Sequence, residues 1–220
     1  MRGYGPDDLM ADLAVPRETC ERLERHRALL ARWSPRINLI GPRELEAYWG
    51  RHALDSAQLV RHAPEALRWI DIGSGAGFPG IVIGCLLAGR EGANVDLVET
   101  NSKKAAFLRE AVRETGAAAR VLNVSIDDLA GARGDHDDYD IVTARAFAPL
   151  PRIISSAKPI LDRGATGLFL KGAEYRAELA AAADEGWTLK VETLESLSDP
   201  DGRILRIEGA ERVENNDGDA

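Results

Sequence analysis

Ten residues, Asp71-Ile-Gly73-Ser-Gly75-Ala-Gly77-Phe78-Pro79-Gly80, carry the residue types and spacing that bind a nucleoside-containing cofactor. Glycine reaches left-handed backbone angles and lets a ligand approach main-chain amides without meeting a Cβ. Two cofactors fit the spacing. Gly75-Ala-Gly77-Phe-Pro-Gly80 is a literal G-x-G-x-x-G, the dinucleotide fingerprint, and Glu99 stands near the end of the next apolar run, where a ribose partner belongs. Read from Asp71, the stretch is an acid followed by Gly-x-Gly-x-Gly, the first motif of S-adenosylmethionine-dependent methyltransferases. The second reading is the better one. In the dinucleotide motif the first glycine follows the strand at once, whereas Gly75 comes two residues after Gly73. Asp71 at a strand end would repel a pyrophosphate but suits a sulfonium and an amino group. No Tyr-x-x-x-Lys occurs: four residues after Tyr4, Tyr48, Tyr139 and Tyr175 stand Asp8, His52, Thr143 and Leu179, which removes one common dehydrogenase chemistry. A tight turn without a ligand is the remaining alternative.

Such a loop has to be held between a strand and a helix, and the chain supplies both. Leu67–Ile72 reads as the strand and Ile81–Leu87 as the helix. Strand and helix then alternate as a parallel sheet requires. Strand Val95–Thr100 leads to a helix with Asn101 or Ser102 as N-cap and Gly116 as its end. There follow strand Arg120–Val124, an acidic loop from Asp127, strand Tyr139–Thr143, a helix over Leu150–Leu161, strand Gly167–Lys171 and a helix over Glu174–Asp184. The last two strands, Trp187–Leu194 and Arg203–Glu208, are joined by Asp199-Pro-Asp-Gly202, which predicts an antiparallel hairpin. Five parallel strands closed by such a hairpin make the Rossmann-like sheet of class I methyltransferases.

Ahead of the sheet domain, residues 1–65 read as a helical extension. An amphipathic helix over 17–33 has Leu23, Leu29, Leu30 and Trp33 as its apolar stripe, and Ser34-Pro35 is expected to break it. A second helical region runs from Gly41-Pro42 to about His62. The expected organisation is a leader (1–65), a methyltransferase domain (66–210) and a flexible acidic tail (211–220).

Composition narrows the function further. Apolar residues make up 45% of the 220, the proportion of a soluble globular protein. The longest apolar run is about half a membrane span and no charged leader precedes it, so a cytoplasmic protein without membrane association is expected. Two cysteines, Cys20 and Cys85, are too few for a disulfide framework, and four histidines without ligand spacing give no metal site. The net charge of −8 argues against casual nucleic-acid binding. Its distribution weakens that objection. From Glu195 onward eight acids face three bases, whereas residues 1–65 carry ten of each sign.

Several segments together belong to one pattern: Asn38-Leu-Ile, Arg51-His-Ala-Leu-Asp-Ser56, Gly73–Gly80, Ser102-Lys-Lys-Ala-Ala-Phe-Leu108, Thr143-Ala-Arg-Ala-Phe-Ala-Pro-Leu150 and Leu170-Lys-Gly172. In these the chain resembles the bacterial 16S ribosomal RNA guanine-N7 methyltransferases, also called the glucose-inhibited division protein B family, over about residues 18–208. The resemblance implies S-adenosylmethionine as cofactor and 16S rRNA as partner; the net charge of −8 points to rRNA within a small-subunit particle, and the enzyme is expected to be a monomer. It matches Gly73 and Phe78 to cofactor-contacting loop positions, Ile126-Asp127 to the pair beside the adenine, and Arg145 to an arginine at the cofactor and substrate mouth. Family members often carry a glutamate where this chain has Asp127. Ser74, Gly75 and Gly77 complete the expected cofactor loop with Asp71, and Glu99 stands where a carboxylate can accept from both ribose hydroxyls.

Methylation of guanine N7 uses a lone pair that is already exposed, so no general base is obligatory and orientation carries the catalysis. The chain agrees: it has no Asp/Asn-Pro-Pro-aromatic motif after the fourth strand, and Cys85 lies in the helix after the loop. Arg145 is the candidate catalytic residue, through guanine O6 or a phosphate; its alternative is a salt bridge fixing the strand-end loop. Arg51 and Asp55, at i and i+4, can pair on one helical face, and Arg51 and His52 either contact RNA or dock the leader. Lys103 and Lys104 open a helix, where a solvated face is the alternative to RNA phosphate. Lys171 ends the fifth strand on the ligand edge, as an RNA contact or a simple strand end. Phe147 flanks the cofactor or belongs to the core. The competing functions are a nucleotide-dependent oxidoreductase and a ribosome-assembly factor that keeps the pocket as scaffold.

Overall fold

The computed structural model describes residues 3–131 and 138–213. Its centre is a seven-stranded sheet of β1 (Arg68–Ile72), β2 (Asn94–Val98), β3 (Ala119–Leu122), β4 (Ile141–Arg145), β5 (Thr166–Lys171), β6 (Trp187–Glu195) and β7 (Arg203–Arg212), ordered β3-β2-β1-β4-β5-β7-β6. β1 to β5 are parallel, β7 inserts antiparallel beside β5, and β6 pairs with β7 as the expected hairpin. Strand order reverses between β1 and β4. In such sheets a ligand crevice opens there, outside the carboxyl ends of the two strands.

Alternation along β1 sets the two layers. Ile70 and Ile72 face α7 (Ile126–Gly131), α8 (Leu150–Leu161) and α9 (Tyr175–Asp184), in a core with Ile153, Ile154 and Leu205. Trp69 faces the other way, into a core shared by α5 (Gly80–Leu87), α6 (Ser102–Thr115) and the leader, with Leu9, Leu23, Leu30, Tyr48 and Phe107 all buried. The leader consists of α1 (Pro6–Leu13), α2 (Arg17–Ile37), α3 (Pro42–Glu46), a π-helical turn Tyr48–Ala53 and α4 (Leu54–Arg61). Arginines of α2 close the far end of α6: Arg22 donates to the Thr115 and Gly116 carbonyls and Arg25 to that of Glu114. Cations there satisfy carbonyls that the helix leaves open and complement its dipole.

Four local expectations differ from the fold. α2 does not break at Ser34-Pro35 but continues to Ile37 and ends at Asn38, whose backbone is left-handed and whose amide donates to Ser34 O. Proline removes one amide, but Pro35 and Ala31, four residues earlier, are both exposed, so the helix tolerates the loss. The acidic stretch from Asp127 is helix α7, not a loop. Ser125 caps it, its hydroxyl accepting from Asp128 N and donating to Asp128 Oδ2. α1 occupies a stretch of the leader in which no element is expected from the sequence. Finally, Glu211 and Arg212 end β7, paired with Thr188 and Trp187 of β6, rather than starting a tail; residues 214–220 lie outside the described residues.

Candidate active site

The loop after β1 makes three left-handed turns, at Gly73, Gly75 and Gly77, with φ of 72°, 52° and 91°. Its amides are tied to the next strand. Gly73 N and Ser74 N both donate to Val98 O. Gly75 N donates to Glu99 Oε2 at 3.0 Å, and Asn101 N donates to Glu99 Oε1 at 2.8 Å. Glu99 thus stitches the loop to the start of α6, and each of its oxygens keeps a lone pair for a further donor. Asp71 lies beneath the loop, fully buried, and its Oδ2 accepts from Gly80 N, the first residue of α5, at 3.1 Å. Its Oδ1 has no partner. Burial pushes the Asp71 carboxyl up to about 7, with the nearby Ser74 hydroxyl and the Gly80 amide opposing the rise and the Glu99 charge adding to it.

The leader holds the loop from below. His26 of α2 is fully buried; its Nε2 donates to Ala76 O at 2.9 Å, and its Nδ1 lies 3.1 Å from Tyr48 Oη. Burial lowers the His26 pKa to about 4, so the ring is neutral with its proton on Nε2, and the Tyr48 hydroxyl beside Nδ1 donates to Leu23 O at 3.0 Å. A Cβ on Gly77 would lie 3.1 Å from His26 Nε2 and 2.6 Å from Ile81 Cγ1, so this glycine is required for fit as well as for its φ.

Arg145, at the end of β4, is gripped from the leader. Its Nε is 3.0 Å from Asp55 Oδ2, its Nη1 donates to His52 Nδ1 at 2.7 Å, and its Nη2 donates to Arg51 O at 3.2 Å. Two of its five N–H groups are left over. The His52 ring stacks on Phe78 at 4.5 Å between centroids, and the guanidinium lies 5.8 Å from the same phenyl centroid. Burial, then the charges of Arg145 and Arg51, lower the His52 pKa to about 3 and keep it neutral. Asp55 also accepts from Ser198 Oγ at 2.7 Å, while Gln58 donates to Ser196 Oγ and accepts from Leu197 N. Leader, β4 end and the β6–β7 connection therefore meet at one carboxylate. Ala146, next in the chain, has φ of 49°, an uncommon conformation for a residue with a Cβ.

These groups surround a cavity of about 880 Å³ on the carboxyl edge of the sheet. Of the expected cofactor residues, Gly73, Ser74, Gly75, Phe78 and Arg145 line it. Asp71, Gly77 and Ile126 do not: Asp71 lies under the loop, Gly77 against His26, and Ile126 in the core behind the sheet. Neither do Glu99, which is 7% exposed, and Asp127, which is ion-paired with Arg152 at 2.6 Å. Among the expected RNA residues, His52 is a buried wall of the cavity and Arg51 is exposed at its rim. The expected Arg51–Asp55 pair does not form, because the π-helical turn alters the i,i+4 geometry and Asp55 takes Arg145 instead. Lys171 is 7% exposed and bonded to Glu178 at 2.6 Å and to Ala148 O, so it is a braced strand end. Lys103 and Lys104 open α6 as expected. Phe147 is 37% exposed and packs its ring against Gly73, where an added Cβ would collide with it. The residues that sequence reasoning did not assign, His26, Tyr48 and Gln58, carry no local motif; their roles arise from contacts far along the chain.

The donor set suits a cationic, ribose-bearing cofactor. Glu99 at the end of the second strand, with lone pairs left over, and open space over Gly75 (its added Cβ would meet only Gly73 O, at 3.6 Å) suit the ribose and backbone approach of S-adenosylmethionine, while Asp71, buried beneath, holds the loop that carries them. Among the described residues no three His, Cys, Asp or Glu side chains gather to hold a metal ion, and no helix is long and apolar enough to cross a membrane.

Comparison with known proteins agrees with this geometry. The model of the family described as GidB, rRNA small subunit methyltransferase G, matches residues 19–206. Ribosomal RNA small subunit methyltransferase G of Rhodopseudomonas palustris (strain BisB18) is 45% identical over 217 residues, covering 94% of this chain and 90% of the relative. The protein of the same name from Caulobacter vibrioides is 45% identical over 193 residues, covering 88% and 86%. Among solved structures, an O-methyltransferase from Bacillus cereus in complex with SAH shares the fold at a TM-score of 0.60 and 14% identity, covering 91% of this chain and 96% of that one. A putative O-methyltransferase from Klebsiella pneumoniae aligns at 0.58 and 14% identity, covering 90% and 93%.

Proposed function

Because the chain belongs to the GidB family of small-subunit rRNA methyltransferases, we propose that it methylates N7 of a guanine in 16S rRNA, with S-adenosylmethionine as donor. The observation that carries the reading is the position of Arg145. It stands between the glycine loop and the open mouth, with its guanidinium clamped on one side and two N–H groups left over.

The cofactor supplies an electrophilic methyl group on a sulfonium. Glu99, at the end of the second strand, would hold its ribose, and Gly73, Ser74 and Gly75 would let it lie against the backbone. Asp71 would act from beneath by fixing the loop, and Ile126 and Asp127 would flank the adenine only if α7 shifts from its packing behind the sheet and from the Arg152 pair. Arg145 donates to guanine O6 and leaves N7 free, which fixes the base edge without consuming the lone pair that must react. Since N7 carries no proton, the remaining task is alignment and exclusion of water, and the Phe78–His52 stack and Phe147 provide apolar walls for it. The leader, residues 1–65, braces Arg145 and the loop for the methyltransferase domain of residues 66–210. A protein of net charge −8 is poorly suited to binding any exposed RNA, so the acceptor is taken to be rRNA presented in a small-subunit particle, and the enzyme a cytoplasmic monomer.

The test is methyl transfer from labelled S-adenosylmethionine to unmethylated small subunits and to their naked RNA, followed by nucleoside analysis. Label is expected in 7-methylguanosine, with subunits the better substrate. Label in another nucleoside overturns the N7 assignment.

A further inference from the structure

We propose that a second groove, beside the catalytic cavity, holds the rRNA strand that flanks the target guanine; this rests on the methyltransferase reading above. The groove, of about 740 Å³, lies between the C-terminal end of α2, α3 and the first turn of α6. It adjoins the catalytic cavity: Ile40 lines both, Asn38 and Leu39 fall on either side of the divide, and so do Lys103 and Lys104. A strand leaving the cavity mouth on this side would cross Ile40 to reach it.

The lining suits a nucleotide. Pro35, Ile37, Ile40, Pro42 and Leu45 make an apolar floor, and Arg36, Asn38, Asn101 and Lys103 are its polar rim. The charges there are uncommitted. Several other cations are spent within the protein: Arg145 on Asp55, Lys171 on Glu178, Arg120 on Asp96, Lys158 on Asp162, Arg152 on Asp127. By contrast Arg36 and Lys103, which line the groove, and Arg51 and Lys104, which line the adjoining cavity, have no ion-pair partner among the described residues. The acids on this side are Glu44 and Glu46 of α3, and Glu44 is already bonded to Gly41 N at 2.9 Å. Four uncommitted cations thus line the path that the strand would take. The first amides of α6, at Lys103 and Lys104, are capped by Asn101 Oδ1, so an anion here is met by side chains and not by the helix terminus. Phosphate contacts of this kind set register and orientation, and bases are read elsewhere.

The test compares R36E/K103E with R61E/R90E, the same charge change placed on α4 and on the segment after α5, away from both cavities. With small subunits as substrate, R36E/K103E is expected to lower kcat/KM about tenfold or more, mainly through KM, while the dissociation constant for S-adenosylmethionine stays within twofold. The slope of log affinity against log salt should become shallower by about 1.4, at roughly 0.7 for each single-strand phosphate that is no longer neutralised. R61E/R90E should change kcat/KM less than threefold. Equal losses in the two variants, or an unchanged KM and salt slope in R36E/K103E, overturn the groove while leaving the methyltransferase reading intact. Absence of any rRNA labelling by the unmodified protein overturns both.

Discussion

Asp55→Asn isolates the clamp that joins the leader to the catalytic edge of the sheet. The substituted amide keeps an acceptor oxygen for Ser198 and Gln58 but loses the charge that faces Arg145 Nε at 3.0 Å. The two side chains are 14% and 16% exposed, so the pair lies between a surface ion pair, worth up to about 1 kcal/mol, and a buried one, whose disruption costs about 3–5 kcal/mol. A loss of about 2 kcal/mol is expected. For a chain of this size that lowers Tm by roughly 4–8 °C. The assay is thermal unfolding without cofactor, with Arg145→Ala and the double variant measured alongside. If the stability resides in the pair, Asp55→Asn costs much less in the Arg145→Ala background. Released from Asp55, the guanidinium also loses its fixed direction, so kcat on small subunits should fall about tenfold with a smaller change in cofactor affinity. A drop in Tm below 1 °C together with wild-type kcat would refute the reasoning and show that His52 and the Arg51 carbonyl alone fix Arg145.

Three further outcomes follow from the same structure. The raised Asp71 pKa means that the folded protein binds more protons than the unfolded chain between about pH 4 and 7, so Asp71 makes stability fall as pH rises across that window; Asp71→Asn should remove this slope in a Tm–pH series and weaken cofactor binding in calorimetry. His26 and His52 have folded pKa values of about 4 and 3, below the unfolded 6.5, so their contribution is complete above pH 6.5 and is lost as pH falls toward 3–4; His26→Phe should flatten that acid limb, and an unchanged limb would count against a buried neutral ring. Gly80→Ala would set a Cβ 2.7 Å from Asp71 Oδ2 and against Leu97, costing about 1–3 kcal/mol and displacing the loop, seen as a lower Tm and loss of cofactor affinity together; retention of both would refute the fit.

Much of the fold was legible because its signals are local. The glycine loop, the Asn101 cap and Gly116 end of α6, and the Asp199–Gly202 turn each announce their geometry within a few residues. The helix at Ile126–Gly131 was equally legible, since Ser125 and Asp128 have capping spacing, but its acidic composition reads as a loop. The continuation of α2 through Pro35 was not, because proline's penalty depends on whether the affected turn faces solvent.

The site divides along the same line. By itself the sequence determined which residues stand at the strand ends, Asp71, Glu99 and Arg145, because strand bounds and loop chemistry are written in short-range pattern. Only the tertiary structure decided what those residues bind. Arg145 meets His52 across 93 positions, His26 meets Ala76 across 50, and Asp55 meets Ser198 across 143. No periodicity spans such distances. They are set by packing the leader onto the sheet, where burying Tyr48, Leu23 and Phe107 in one core brings a carboxylate, an imidazole and a guanidinium into reach of one another.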